Sequence, residues 1–349
     1  MHLQRRMRWR HLKENRLTRP APEFSVVIVN YNGGAFIQQA LDSLAAQTRR
    51  NFEVILVDNA SKDGSIDELD TSGLPAFKLM AEPINHGFAA ANNMAARQAK
   101  GQWLVCLNPD ATARPDWLEK IAEGQQRHPE VRMFASAQFD KLEPTLLDGV
   151  GDAYLIFGIP WRGGFGRRAS ELPGEGECFS PCGAGAVFDR ALFLAHGGFD
   201  ESFFCFCEDV DLGFRLRLAG EICVFLPEAI IDHVGGGLSD RVGDFATYHG
   251  ARNRVWTYAK NMPAPLFWLT LPGHILLSAY ILLRGVMSGR ARQTWRGMRD
   301  GVLGLPALQL REQNSPPRNV SLWRLARAMA WNPFRMSRRK PHVRELQKP

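Results

Sequence analysis

FSVVIVNYNGGAFIQQALDSLA (Phe24–Ala45) decides how the chain reads. Phe24 to Asn30 is a short, unbroken apolar run rich in β-branched residues, and it closes on Tyr31-Asn32-Gly33-Gly34. A run without alternation is apolar on both faces, which predicts a buried parallel strand ending in a turn. Phe36, Ile37, Ala40, Leu41, Leu44 and Ala45 then recur at helical spacing, so the turn leads into a helix that covers the strand.

The unit repeats. Phe52 to Asp58 is a second buried strand and ends in Asn59-Ala60-Ser61-Lys62-Asp63-Gly64-Ser65. Phe77 to Met80 is a third, followed by Asn85-His86-Gly87-Phe88 and an Ala-rich helix to Lys100. Trp103 to Leu107 is a fourth and ends in Asn108-Pro109-Asp110, before a helix over Pro115 to His128. Strand, polar turn and helix in succession predict an α/β domain with a mainly parallel, doubly wound sheet. Such sheets bind ligands beyond the carboxyl ends of their strands, and the polar clusters fall there. A Gly-x-Gly-x-x-Gly fingerprint and a P-loop are both absent, so phosphate is expected on a metal held by an acid such as Asp110.

Beyond this block, residues 139–180 are rich in Gly and Pro and predict an irregular, mobile loop. Ser180 to Phe188 predicts a strand entered through small residues, which let a ligand approach the backbone. In GGFDESFFCFCEDVDLGFRLRLAG (Gly197–Gly220), Asp200, Glu201, Glu208, Asp209 and Asp211 sit among Phe and Leu. Carboxylates beside apolar surface are costly unless paired or bound, and a raised pKa there suits a general base. Acids in front, Arg behind and a closing Gly favour a helix after Glu208. Glu221 to Leu226 and Ile230 to His233 predict two further short strands.

The chain has 349 residues and a net charge of +7, unevenly placed. Residues 1–19 carry seven Lys and Arg against Glu14, and residues 284–349 carry fifteen against Asp300, Glu312 and Glu345, which leaves the body acidic. Basic ends interleaved with Trp suit an anionic membrane surface better than nucleic acid, with solvated tails as the plain alternative. No apolar run precedes Phe24, so no secretory signal is expected. The six cysteines lack the spacing of zinc ribbons and are expected reduced. Leu266 to Leu283 is the most apolar run, interrupted by Pro272-Gly273-His274. It predicts an interfacial or re-entrant helix, against a single membrane span or a buried helix. Asn332 to Pro349 predicts a basic, disordered tail.

In this order, Val29-Asn30-Tyr31-Asn32, Val57 to Ser65, Asn85-His86-Gly87-Phe88, Asn108-Pro109-Asp110, Gly197 to Glu201, Glu208 to Asp211 and His233 resemble the family 2 glycosyltransferases of GT-A fold, near the bacterial rhamnosyltransferase-like members. The resemblance covers roughly residues 24–260. It implies that Asp58 reads the base of a nucleotide-sugar, with Asn30, Tyr31 and Asn32 shaping the pocket. Asp63, Asn85, Gly87 and Asn108 would line the donor. Asp110 would hold Mg²⁺ or Mn²⁺, with His233 as a late ligand. Asn108 replaces the first Asp of the family's Asp-x-Asp, which removes one carboxylate from the ion. Asp209 resembles the catalytic base, with Glu208 beside it, and Cys182, Gly183, Ala184 and Asp211 would lie on the acceptor side.

The implied layout is a basic arm (1–22), a GT-A domain (23–260), a hydrophobic and basic helical extension that meets the membrane (261–331) and a basic tail (332–349). The implied activity is inverting transfer of rhamnose or another hexose from a dTDP- or UDP-sugar. The acceptor would be a polysaccharide or polyprenyl-diphosphate-linked glycan at the cytoplasmic face of the membrane, with no nucleic acid involved. The rivals are a nucleotidyltransferase on a similar sheet and a non-catalytic basic membrane or nucleic-acid-binding protein. Asp58, Asp110 and Asp209 together argue against the second.

Overall fold

The computed structural model describes residues 21–235, 243–307 and 318–346. The basic arm up to Pro20, the glycines after Gly235 and Lys348 lie outside them. The strands are β1 (Phe24–Asn30), β2 (Phe52–Asp58), β3 (Phe77–Ala81), β4 (Trp103–Cys106), β5 (Ala111–Ala113), β6 (Met133–Asp140), β7 (Leu147–Gly149), β8 (Asp152–Leu155), β9 (Ile159–Arg162), β10 (Gly176–Cys178), β11 (Ala186–Asp189) and β12 (Cys223–His233). The domain's helices are α1 (Phe36–Ala45), α2 (Gly87–Gln98), α3 (Trp117–Arg127), α4 (Arg190–Ala195) and α5 (Glu208–Ala219). After them come α6 (Gly243–Asn261), α7 (Ala264–Met287), α8 (Ala291–Leu303), α9 (Leu322–Ala328) and α10 (Pro333–Ser337).

The main sheet runs β10-β12-β6-β11-β4-β1-β2-β3. Among the described residues, six of these eight strands point one way, and only β11 and β10 are reversed. The mainly parallel α/β reading therefore holds. β1 shows why its sequence lacks alternation. Phe24, Val26 and Ile28 pack under α1 and α3, while Val27 and Val29 pack under α2, α4 and α5. Both faces are covered, so both must be apolar.

Residues 139–180 are not the mobile loop expected. β7 joins β6, β8 pairs with β9, and β10 joins β12. Tyr154 is fully buried, stacked on Phe179 at 4.9 Å and edge-on to Phe214. The two strands expected around residues 221–233 are one long strand, β12, with a bulge between Leu226 and Ile230. Of Ser180 to Phe188, only the end is strand.

Pro272 sits inside α7 without ending it. Gly273 is needed there because a Cβ would come 2.3 Å from the Phe157 ring. The tail also differs from expectation, since it folds back on the domain. The backbones of Arg344 and Glu177 exchange hydrogen bonds, and Arg344 Nη2 reaches Glu177 Oε2 at 2.6 Å. Trp161 Nε1 donates to Lys340 O at 3.1 Å.

Candidate active site

β1 and β2 are in register, so Asn30 and Asp58 lie side by side at their carboxyl ends. Asn30 Nδ2 donates to Asp58 Oδ1 at 2.8 Å. Ser61 gives its hydroxyl to the same oxygen at 2.6 Å and its N–H to Oδ2 at 3.0 Å. Asp58 is buried, and these bonds make it the anchor of the 58–65 turn. Asn32 and Ala60 have left-handed φ of 54° and 61°, which puts the two turns back to back. The backbone N–H of Asn32 then reaches Ser61 Oγ at 2.9 Å.

Asp63 accepts N–H groups from Gly34 at 2.8 Å and Ser65 at 3.1 Å. Burial works against its charge, but these donors hold the carboxyl below its ordinary range. Tyr31 is 49% exposed and forms the open face. Asn85 Oδ1 accepts the Gly87 N–H at 2.8 Å, and Asn59 Nδ2 donates to Gly87 O at 3.2 Å. Gly87 has φ 83°, and a Cβ there would meet Phe204 at 2.6 Å, so only glycine fits.

A second cluster forms where β4, β7 and β12 end. Pairing of β5 with β12 aligns Ala111 with His233 and brings Asp110 against the imidazole. His233 Nε2 lies 3.1 Å from Asp110 Oδ1 and 3.2 Å from Asn108 Nδ2. His233 Nδ1 lies 2.7 Å from Asp148 Oδ2, which also accepts from Arg162 Nη1 at 2.7 Å. Burial opposes a charge on His233, but its bonds to Asp110 and Asp148 outweigh it and raise the pKa to about 9. Burial likewise opposes charge on Asp148, and Arg162 and then His233 reverse that, holding the carboxyl low.

The donor set fits a hard divalent ion. Asp110 and the Asn108 amide offer oxygens, His233 offers Nε2 once an incoming ion displaces its proton, and Asp148 orients the far side of the ring. Sequence reasoning found three of these four. Asp148 stands in a Gly-flanked stretch that read as loop, and nothing there marked it.

The acid-rich segment supplies the opposite wall. Phe204, Phe206 and Cys207 all have left-handed φ, at 64°, 72° and 65°, a strained path for residues with side chains. Asn253 on α6 holds that path by donating to the carbonyls of Phe203, Cys205 and Phe206 at 3.0, 2.8 and 2.7 Å. Asp209 follows in the first turn of α5. Its Oδ2 accepts the Gly183 N–H at 2.7 Å and its Oδ1 the Val210 N–H at 2.7 Å. Burial raises its pKa, and those two donors pull the other way.

A cavity of about 290 Å³ opens here. Asn108, Asp152, Arg162, Cys182, Glu208 and Asp209 are among its lining. Gly183 and Ala184 line it as well. Glu208 is 4% exposed, its Oε2 has no hydrogen-bond partner among the described residues, and burial followed by Asp209 pushes its pKa well up. Cys182 is a neutral thiol, pushed up to about 12 by burial. The first cluster adjoins this one, because Gly33 packs beside Pro109 and Phe88, next to Gly87, lines the cavity.

One expected residue does not belong. Asp211 is fully buried beneath α5, where it binds Arg215 Nε at 2.9 Å, Lys260 Nζ at 3.0 Å and Asn261 Nδ2 at 2.7 Å. It ties α5 to α6 and faces no acceptor. Asp148, Asp152, Arg162 and Asn253 are the site residues that sequence reasoning missed.

Residues 25–193 match the family model of Glycosyl transferase family 2. The N-acetylglucosaminyl-diphospho-decaprenol L-rhamnosyltransferase of Mycobacterium tuberculosis is 26% identical over 302 residues, which is 77% of this chain and 95% of that protein. The O-antigen biosynthesis protein RfbC of Myxococcus xanthus is 31% identical over 218 residues, 58% of this chain and 16% of its own. In structure, the mannosyltransferase PcManGT of Pyrobaculum calidifontis, solved with GDP-Man and Mn²⁺, aligns at a TM-score of 0.51 and 19% identity over 84% of this chain and 88% of that one. S. aureus TarS 1-349 in complex with UDP-GlcNAc aligns at 0.51 and 18% identity, over 72% and 71%. At such identities the two structures speak for the fold alone.

Proposed function

Because the chain carries a family 2 glycosyltransferase domain on a GT-A fold, we propose that it is an inverting transferase of cell-envelope glycan synthesis. It moves rhamnose or another hexose from a dTDP- or UDP-sugar to a polysaccharide or a lipid-linked oligosaccharide. The observation that carries this is one cavity bearing a backbone-anchored carboxylate, Asp209, across from Asn108 and its neighbours Asp110 and His233.

The chemistry follows from that pairing. The acceptor hydroxyl attacks the anomeric carbon while the bond to the diphosphate breaks, and the bonding pair leaves with the diphosphate. Asp209 takes the hydroxyl proton as the new C–O bond forms. Gly183 N–H fixes one carboxylate oxygen, so the base needs no reorganisation. Asp110 and His233, with Asn108 beside them, would hold Mg²⁺ or Mn²⁺, which when bound neutralises charge on the leaving diphosphate. Asn30, Tyr31, Asn32, Asp58, Asp63, Asn85 and Gly87 form the nucleotide pocket, with Asp58 setting its shape from beneath. Burial and then the charge of Asp209 favour the neutral form of Glu208 beside the base.

The rhamnosyltransferase resemblance favours an acceptor borne on a polyprenyl diphosphate at the cytoplasmic membrane face. The test is transfer from dTDP-rhamnose and a set of UDP-sugars to an N-acetylglucosaminyl-diphospho-polyprenol, with Mn²⁺ or Mg²⁺, by wild type and Asp209→Asn. A loss of at least about 100-fold in kcat with the donor KM kept is expected. Full activity in the variant removes Asp209 as base, and no use of any donor overturns the reading.

A further inference from the structure

Asp152 stands at the first position of β8 and lines the same cavity as Asp209. It is 6% exposed. Among the described residues its carboxyl has no hydrogen-bond partner, although its backbone N–H and C=O are both satisfied by residues 179 and 180. One oxygen of Asp152, the Cys182 sulfur and one oxygen of Asp209 all lie within 4.8 Å of one another. A buried carboxyl without a partner is costly, and natural sites that keep one aim it at a ligand.

We propose that Asp152 reads the acceptor, accepting and donating hydrogen bonds at the ring hydroxyl next to the one that Asp209 deprotonates. The assignment rests on the transferase reading above. Two oxygens within 4.8 Å bracket a pair of adjacent sugar hydroxyls, which are themselves about one hydrogen-bond length apart. A lone primary alcohol would satisfy only one of them. The acceptor is therefore a vicinal diol on a sugar ring.

The two carboxyls divide their work by their surroundings. Asp209 receives two backbone N–H groups that favour its ionised form. Asp152 receives none, and burial and then the charge of Asp209 raise its pKa. Arg162 pulls the other way, but of the two carboxyls Asp152 is the one whose surroundings favour the neutral form. A neutral carboxyl can donate to one hydroxyl oxygen and accept from the same group, which suits recognition rather than proton removal.

The experiment compares wild type, Asp152→Asn and Asp152→Ala with the N-acetylglucosaminyl-diphospho-polyprenol acceptor and its analogues lacking single ring hydroxyls. Thermal unfolding of each variant controls for folding. Wild type is expected to lose at least about 10-fold in kcat/KM on the analogue lacking the neighbouring hydroxyl. Asp152→Ala should raise the acceptor KM by a similar factor, keep the donor KM, and no longer distinguish that analogue from the parent. Asp152→Asn, which matches the protonated acid in shape and bonding, should restore the discrimination. An Asp152→Ala protein that still discriminates, or whose loss falls on the donor KM, overturns the assignment and leaves the transferase standing. A wild type that transfers to none of these acceptors overturns both.

Discussion

Asn253 and Phe206 are joined by a 2.7 Å hydrogen bond from the Asn253 amide to the Phe206 carbonyl, and the same amide also reaches Phe203 and Cys205. The consequence is positional. Three residues of that loop sit at left-handed φ, and α5 begins at the next residue, Glu208. Asn253→Ala leaves the buried Phe203 carbonyl and the partly buried Cys205 and Phe206 carbonyls with fewer donors and frees the strained path. A loss of about 2–4 kcal/mol is expected in chemical denaturation. A fall in kcat larger than any change in donor KM should accompany it, because Asp209 moves and the nucleotide pocket does not. Equal stability in the variant would remove Asn253 as the clamp.

Arg254, the next residue, has the opposite character. It is 8% exposed, and its Nε and Nη2 have no hydrogen-bond partner among the described residues. Burial lowers its pKa to about 10. The Tyr154 hydroxyl, also buried and unpartnered, lies close enough to feel the charge. An unpaired buried cation destabilises the fold, so Arg254→Met is expected to gain about 1–3 kcal/mol and raise Tm by a few degrees. A lower Tm would mean that the guanidinium is satisfied in solution.

His342 gives the fold a pH dependence. Its ring packs near Trp161 at 6.4 Å, and its Nε2 is buried without a partner among the described residues. Burial, with the charges of Arg335, Arg344 and Arg217, lowers its pKa to about 4, against about 6.5 for an unfolded histidine. Between those values the unfolded chain binds the proton and the folded chain does not. The His342 contribution is therefore complete above pH ~6.5 and is lost as pH falls toward 4. His342→Gln should flatten the fall in Tm between pH 7 and 5 relative to wild type. An unchanged slope would assign the loss to other groups.

Several of these residues were invisible in the sequence for a physical reason. β1, β2 and β4 were legible because a parallel strand buried on both faces must be an unbroken apolar run, and their polar ends marked the nucleotide turns and Asp110. β7 to β10 are three or four residues long, too short for a period to show, so Asp148, Asp152 and Arg162 read as loop. Asp211 sits in the first turn of α5 with Arg215 one turn on, but its other partners Lys260 and Asn261 come about fifty residues later, beyond the reach of any local pattern. The same distance hid Asn253 from the loop that it holds.

Helix α7 is built inside out. Its polar Thr270 and His274 face the protein, bonded to Tyr258 Oη and Phe157 O at 2.9 Å each. Trp268, Leu269, Ile275, Leu276, Tyr280 and Leu283 face outward, and Trp295 and Leu303 of α8 and Trp323 of α9 are exposed as well. A water-facing helix has the reverse arrangement. Arg284, Arg290, Arg292, Arg296 and Arg299 lie along the end of α7 and on α8, where they can meet lipid headgroups. Vesicles containing phosphatidylglycerol should therefore bind the full chain, less tightly as salt rises. The double variant Leu269→Glu and Leu276→Glu should bind at least about 10-fold more weakly. Its unfolding should be unchanged, since both side chains already point away from the core. Binding that is equal in the two proteins, or absent in both, would leave this face to some partner other than the bilayer.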